Sequence, residues 1–288
     1  MDWNLLSGYA ITGLDGLAYG LLLFCIASGL TLIWGVADVL NLGHGTLYLA
    51  GAYLGWWLAD GGWGGLAAAT AVGALAGAAT GGMLAIALRP LAGRHLDQGL
   101  ATLGGAFVAA DLLTTATGGQ PLRAEAPLPG SVPLLGHLYP SWRLLFIAVA
   151  AVLAAAMILI IDRSTIGAVI RAVVDDEPIA AATGIRTRQV QAGVLATGCA
   201  LAVTIGVLGA PVLGPAPGVD ATVLTLSLII VVVGGLGSIR GALLAAIGVG
   251  QLQTLGVLLA PAAMVPFLLA AAMLAVLIAR PTLNGRPA

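Results

Sequence analysis

Between Gly241 and Ala279 the chain carries no charged side chain. As one helix that stretch would be roughly 58 Å long, about twice a ~30 Å hydrocarbon core. It must turn back on itself, and Pro261 and Pro266 mark where. Runs of comparable character recur upstream: Gly16–Ala37, Val39–Ala59, Gly61–Leu88, Leu144–Ile161, Gln189–Val219 and Ala221–Ile239, with Gln98–Gly118 interrupted only by Asp111. Charged residues make up 8% of the chain and the mean hydropathy is +1.06, whereas a soluble domain carries roughly 25% charged residues. The chain therefore reads as an all-α polytopic membrane protein of about eight or nine transmembrane helices, a single transmembrane domain over residues 1–288.

Composition also excludes chemistry. All eleven Lys+Arg residues are Arg, and without lysine there is no standard phosphate-binding loop. Cys25 and Cys199 fall in apolar runs without a second thiol or ligand cluster nearby and read as packing thiols. His44, His95 and His137 lie on different segments, with no metalloprotease, nucleophile-elbow or redox spacing. No catalytic residue, metal or cofactor is expected on this chain. The opening Met-Asp-Trp-Asn has no basic region, so no cleaved leader is expected.

Alternating the spans puts Arg89, Arg94, Arg163, Arg171, Arg186, Arg188, Arg240, Arg280 and Arg286 on one side. The other side receives Arg123 and Arg143. The arginine-rich side is expected to be cytoplasmic, with the N-terminus outside and the C-terminus inside. Residues 117–141 then form an outer loop rich in Pro and Gly, expected to be irregular or partly folded. Residues 162–190 form the long cytoplasmic loop. Asp175, Asp176 and Glu177 gather before Pro178, suiting the positive end of a short helix, and Gly184 supplies its stop. A helix of about two turns follows, with Ile179, Ala182 and Ile185 on one side. It is too short to stand alone. The residues leave open a solvated loop with one capped turn or a helix that docks on a partner.

Two stretches break the apolar pattern. In NLGHGTLYLAGAY (41–53) Asn41 and His44 accompany Gly43, Gly45 and Gly51. Polar groups within a membrane segment usually face a cavity or another helix. Two readings stand: a broken helix with backbone lining a cavity, or a cytoplasmic turn with Asn41 as N-cap and His44 at the interface. Asp111, alone in its span, reads as a pathway or interhelical residue. The second stretch, GGLGSIRGALLAA (234–246), interrupts a late run with Gly234, Gly235, Gly237, Ser238 and Gly241. Paired interruptions of this kind point to a transport path at a repeat interface.

Three stretches in order resemble the permease subunits of branched-chain amino acid (Liv-type) importers driven by ATP-binding-cassette ATPases, and the LivH-like type more than the LivM-like. They are GLTLIWGVADVLNLGHGTLYLAGAYLG (29–55), RSTIGAVIRAVVDDEPIAAATGI (163–185) and GGLGSIRGALLAA (234–246); LRPL (88–91) also fits. The chain departs from the usual family pattern at Thr46, Pro178 and Arg240.

The resemblance implies a multi-pass protein of the bacterial inner membrane that forms half of a path working by alternating access. Its implied partners are a second, LivM-like permease, two cytoplasmic ATPases carrying ATP and Mg, and an extracytoplasmic solute-binding protein, with no nucleic acid. Arg171, Asp175, Asp176, Glu177, Pro178, Ala181, Gly184 and Ile185 would belong to the helix that couples to the ATPase. Asn41, His44, Gly45, Gly235, Gly237 and Ser238 would lie near the path or the permease interface. Urea, short amides, organic acids or sugars are alternative solutes of the same class. An ion-gradient transporter is the alternative from another class.

Overall fold

The computed structural model describes residues 3–279. Arg280 and Arg286, counted above for sidedness, lie outside the described residues. The chain forms α1 (Trp3–Leu32), α2 (His44–Leu58), α3 (Trp63–Ala87), α4 (His95–Ala116), a β1–β2 hairpin (Ser131–Leu134 and His137–Pro140), and α5 (Ser141–Arg163). There follow α6 (Thr165–Asp175), α7 (Glu177–Ala182), α8 (Thr187–Gly209), α9 (Val219–Gly234), α10 (Ile239–Leu259) and α11 (Val265–Ala279). The α1 helix continues as a π turn over Ile33–Ala37.

Among the described residues, six helices are long and apolar enough to cross a membrane: α1 with its π turn, α3, α4, α5, α8 and α10. The other apolar runs give α2, α9 and α11, of 15, 16 and 15 residues. At 1.5 Å per residue these reach roughly 22–24 Å, short of a ~30 Å core. The long late run turns back where expected, with a short 3₁₀ turn, Ala262–Met264, between α10 and α11.

Helix α1 is the hub. Leu22 to Ala27 are completely buried, so every face of α1 is covered there. Close approaches fix the helix directions. A Cβ on Gly16 would meet Gln251 and Thr254, and one on Gly20 would sit 2.8 Å from the Ala246 carbonyl, so α1 and α10 run antiparallel. Gly51 faces Val203 and Gly55 faces Val207, so α2 runs parallel to α8. Small residues let such backbones touch, the usual solution where lipid offers helices no hydrophobic drive to associate.

The bundle thus has two ends. One carries the 117–140 segment. There Leu135 and Gly136, with φ of 52° and 84°, make the two-residue turn of the hairpin, giving part of this loop regular structure. The hairpin is pinned to α1: the Tyr139 hydroxyl donates to Asp15 at 3.0 Å and Arg143 pairs with Asp15 at 2.5 Å. Burial, followed by the hydrogen bond to Asp15, pushes the Tyr139 phenol up, which keeps its proton available for donation.

The other end carries α6 and α7. Helix α6 forms within the stretch expected to be the first part of the long cytoplasmic loop. Ser164 caps it by accepting from Gly167 N at 3.0 Å, and Arg171 braces it by donating to the Ile161 carbonyl at the end of α5. Beside it, Arg240 pairs with Asp162 through Nε at 3.0 Å, tying α10 to α5.

Gly20→Val is expected to destabilise the fold by about 1–3 kcal/mol, because the added atoms meet backbone that cannot yield. Gly82→Val, where nothing lies within 4 Å of an added Cβ, is expected to be neutral to folding. Thermal unfolding of both variants in detergent checks this.

Candidate transport path and coupling loop

Helix α1 ends abruptly. Asp38 adopts the left-handed conformation (φ 54°, ψ 35°), and residues 39–41 that follow have no regular structure. The stretch runs beside α4, which takes up its freed backbone groups. Leu40 N donates to Gln98 Oε1 at 3.3 Å and Leu42 N donates to Thr102 Oγ1 at 3.0 Å. Gln98 also donates through Nε2 to the Leu91 carbonyl at 3.0 Å. Gln98 and Thr102 are both buried. A broken backbone in an apolar surrounding needs such partners, since an unsatisfied buried group costs several kcal/mol. Sequence reasoning missed this pair; the available signal was two polar residues one helical turn apart in an apolar run.

Asn41 is not the N-cap of α2. Gly43 occupies that position without a side-chain cap, and Asn41 Oδ1 accepts from Gly43 N at 3.0 Å, folding the turn from outside. Its amide nitrogen lies 3.9 Å from the Cys199 sulfur. His44 is fully buried, and its Nε2–H donates to the Ile26 carbonyl of α1 at 3.0 Å. His44 Nδ1 has no hydrogen-bond partner among the described residues. Gly29 makes room for the ring: a Cβ there would sit 3.3 Å from Nε2. His44 therefore lies inside the bundle, level with Ile26 and Gly29, and not in a turn at its edge.

The start of α2 meets the start of α9. Thr46 Oγ1 donates to Asp220 Oδ2 at 3.4 Å, and a Cβ on Gly45 would overlap the Asp220 carbonyl. From that meeting point the helices diverge. Helix α2 runs parallel to α8 toward the hairpin end, and α9 runs toward the α6/α7 end. Two short helices thus direct the positive ends of their dipoles at one place within the bundle, with the Asp220 carboxylate in the first turn of α9.

The late glycine motif lies elsewhere. Gly235 and Gly237 take φ of 93° and 75°, ending α9. Ser238 then caps α10 by accepting from Gly241 N at 3.1 Å. A Cβ on Gly35 in the π turn would lie 2.7 Å from Gly237 Cα. So Asn41, His44 and Gly45 cluster with Asp220, whereas Gly235, Gly237 and Ser238 pack at the α6/α7 end. Asp111 joins neither group; it is exposed on α4, with no polar partner among the described residues.

Helix α7 has the expected cap and stop. Asp176 accepts from Ile179 N at 2.9 Å, Pro178 sits in the first turn, and Gly184 takes φ 93°. Its faces differ from expectation. Ala180, 3% exposed, packs with Val36, Val173 and Val194, and Ile185 joins them. Ile179 is 63% exposed and Ala182 is also outward, so neither shares a side with Ile185. The helix ends at Ala182, and the left-handed Gly184 folds the chain back so that Ile185 N donates to the Ala180 carbonyl at 3.2 Å, which turns Ile185 inward. Asp175, Asp176, Pro178 and Ala181 are exposed as well, while Glu177 accepts from Gln191 of α8 at 3.0 Å.

A sequence model of the family described as branched-chain amino acid transport system / permease component matches residues 13–277. The chain belongs to that family. The match spans α1 to α11 and so includes both interrupted stretches and the α6–α7 loop. This family is one of membrane transport components, consistent with the multi-pass, apolar character of the helices. Comparison with curated proteins and with solved structures gave no match.

Thr102→Val is expected to leave the Leu42 N–H unsatisfied and to cost about 1–3 kcal/mol, whereas Thr102→Ser keeps the acceptor and loses little. Equal melting temperatures for the two permease variants would contradict the role given to Thr102.

Proposed function

We propose that this permease is the membrane-spanning subunit of an ATP-driven importer and forms half of its path for branched-chain or other amino acids. The observation that carries this reading is the meeting of α2 and α9 inside the bundle. Short helices ending at a common interior point are a recurrent way of building a solute site. On this reading the path runs past Asn41, His44 and Gly45. The exposed carboxylate of Asp111 would be costly against lipid, so its face of α4 meets the path or a second, LivM-like permease.

Among the described residues, Arg89, Arg94, Arg163, Arg171, Arg186, Arg188 and Arg240 gather at the α6/α7 end, and Arg123 and Arg143 at the hairpin end. The positive-inside tendency makes the α6/α7 end cytoplasmic in an inner membrane, with the C-terminus on that side. One of the two ATPases would then dock on the outward face of α7, the other on the second permease, and a solute-binding protein would approach the hairpin end. ATP and Mg belong to those partners, and this chain binds no cofactor of its own.

Movement of α7 would reach the path through two of its contacts: the cluster that Ala180 shares with Val36 in the π turn, and Glu177 to Gln191 on α8. Gly35 against Gly237 extends that link to the late glycine turn, so Gly235, Gly237 and Ser238 act as a hinge between α9 and α10. A second reading, transport coupled to a cation gradient, takes its support from the half-buried Asp220 beside Thr46.

Ile179→Arg is expected to abolish co-purification of a nucleotide-binding ATPase from detergent-solubilised membranes while leaving the melting temperature unchanged, because Ile179 is exposed. Absence of any ATPase with the wild-type chain would overturn the importer reading in favour of the gradient-coupled one.

A further inference from the structure

A cavity of about 500 Å³ opens at the α6/α7 end between the turn after α3, α4, α7 and α8. Four charged side chains line it: Arg89 after α3, Arg188 in the first turn of α8, Asp38 at the end of the π turn, and Glu177 at the start of α7. Neither arginine has an ion pair among the described residues. Both carboxylates keep acceptor capacity. Asp38 faces His95 at 3.5 Å, and Glu177 accepts one bond from Gln191 at 3.0 Å. Guanidinium groups recognise carboxylates through paired N–H donors, and carboxylates recognise ammonium groups. A small zwitterion carrying one of each is the ligand that matches all four.

The cavity also adjoins the interrupted stretch. Its wall includes Leu195, one turn of α8 from Cys199, which lies against Asn41. Asp38 and Val39, where the interruption begins, form another part of the wall.

We infer that this cavity is a product site: it holds a free α-amino acid on the α6/α7 side, its carboxylate on Arg89 and Arg188 and its ammonium toward Asp38 and Glu177. The inference rests on the amino acid path and coupling role proposed above. A ligand there spans the turn after α3 and the first residue of α7. It therefore restrains α7, so that accumulated product slows further import.

The test is equilibrium binding of radiolabelled L-leucine to the purified full-length permease in detergent, with hydrogen exchange read in α7. Saturable binding is expected, with slower exchange in α7 when leucine is bound. Arg89→Ala with Arg188→Ala is expected to weaken binding about tenfold or more. Arg163→Ala, an arginine of the same end that does not line the cavity, is expected to bind as wild type. No saturable binding by monodisperse wild-type protein would overturn the inference. So would affinity unchanged in the double variant, or displacement by inorganic phosphate as effective as by unlabelled leucine, which would indicate a plain anion site. If an ATPase co-purifies but leucine does not bind, the product site alone fails. If no ATPase co-purifies, it is the importer reading that fails.

Discussion

Everything distinctive in this bundle depends on how a broken backbone is satisfied where no water is available. A continuous helix pairs its own N–H and C=O groups, so a chain this apolar gains nothing by interrupting one unless other groups take over. Here Gln98 and Thr102 of α4 take over for Leu40 and Leu42. That substitution lets α2 begin inside the bundle, which carries His44 to the Ile26 carbonyl and Thr46 to Asp220. Without it, residues 39–43 would either complete a helix or withdraw to the bundle end, and the meeting with α9 would be lost.

The second requirement is close packing. Gly51 and Gly206 bring α2 against α8, and Gly20 and Gly250 bring α1 against α10. These contacts hold α2 and α1 in place without interhelical ion pairs in the bundle interior among the described residues. The charged pairs lie toward its ends, Asp15–Arg143 beside the hairpin and Asp162–Arg240 beside α6. The interior is thus set by shape and by a few hydrogen bonds, and the ends by charge. Thr46 and Arg240 both fall on such contacts, one pairing with Asp220 and the other with Asp162.

Much of this was legible in the sequence because its causes are local. Uncharged runs mark the long helices, and the Asp-Asp-Glu-Pro cluster with Gly184 marks α7. Asn41 and its neighbouring glycines mark a break. What the sequence could not disclose is non-local. Val39, Leu40 and Leu42 are as apolar as any helix; what holds Leu40 and Leu42 out of one is side chains 58 and 60 residues away. The partner of Thr46 lies 174 residues along the chain. Helix α6 reads locally as a charged loop, yet Ile166, Val169, Ile170 and Val173 fall at helical spacing after Ser164, and packing on α5 and α8 completes it. The inward turn of Ala180 likewise depends on Val36 and Val194, which no local pattern reveals.

The central claim is that α2 and α9 meet inside the bundle. The most direct measurement is oxidative cross-linking of a Thr46→Cys, Asp220→Cys variant in which Cys25 and Cys199 are replaced by Ala. The predicted result is a disulfide between the two introduced cysteines, with no cross-link between the cysteine at position 46 and one placed instead at the exposed position 225 on the same helix as Asp220. Absence of the 46–220 cross-link in folded, monodisperse protein would contradict it.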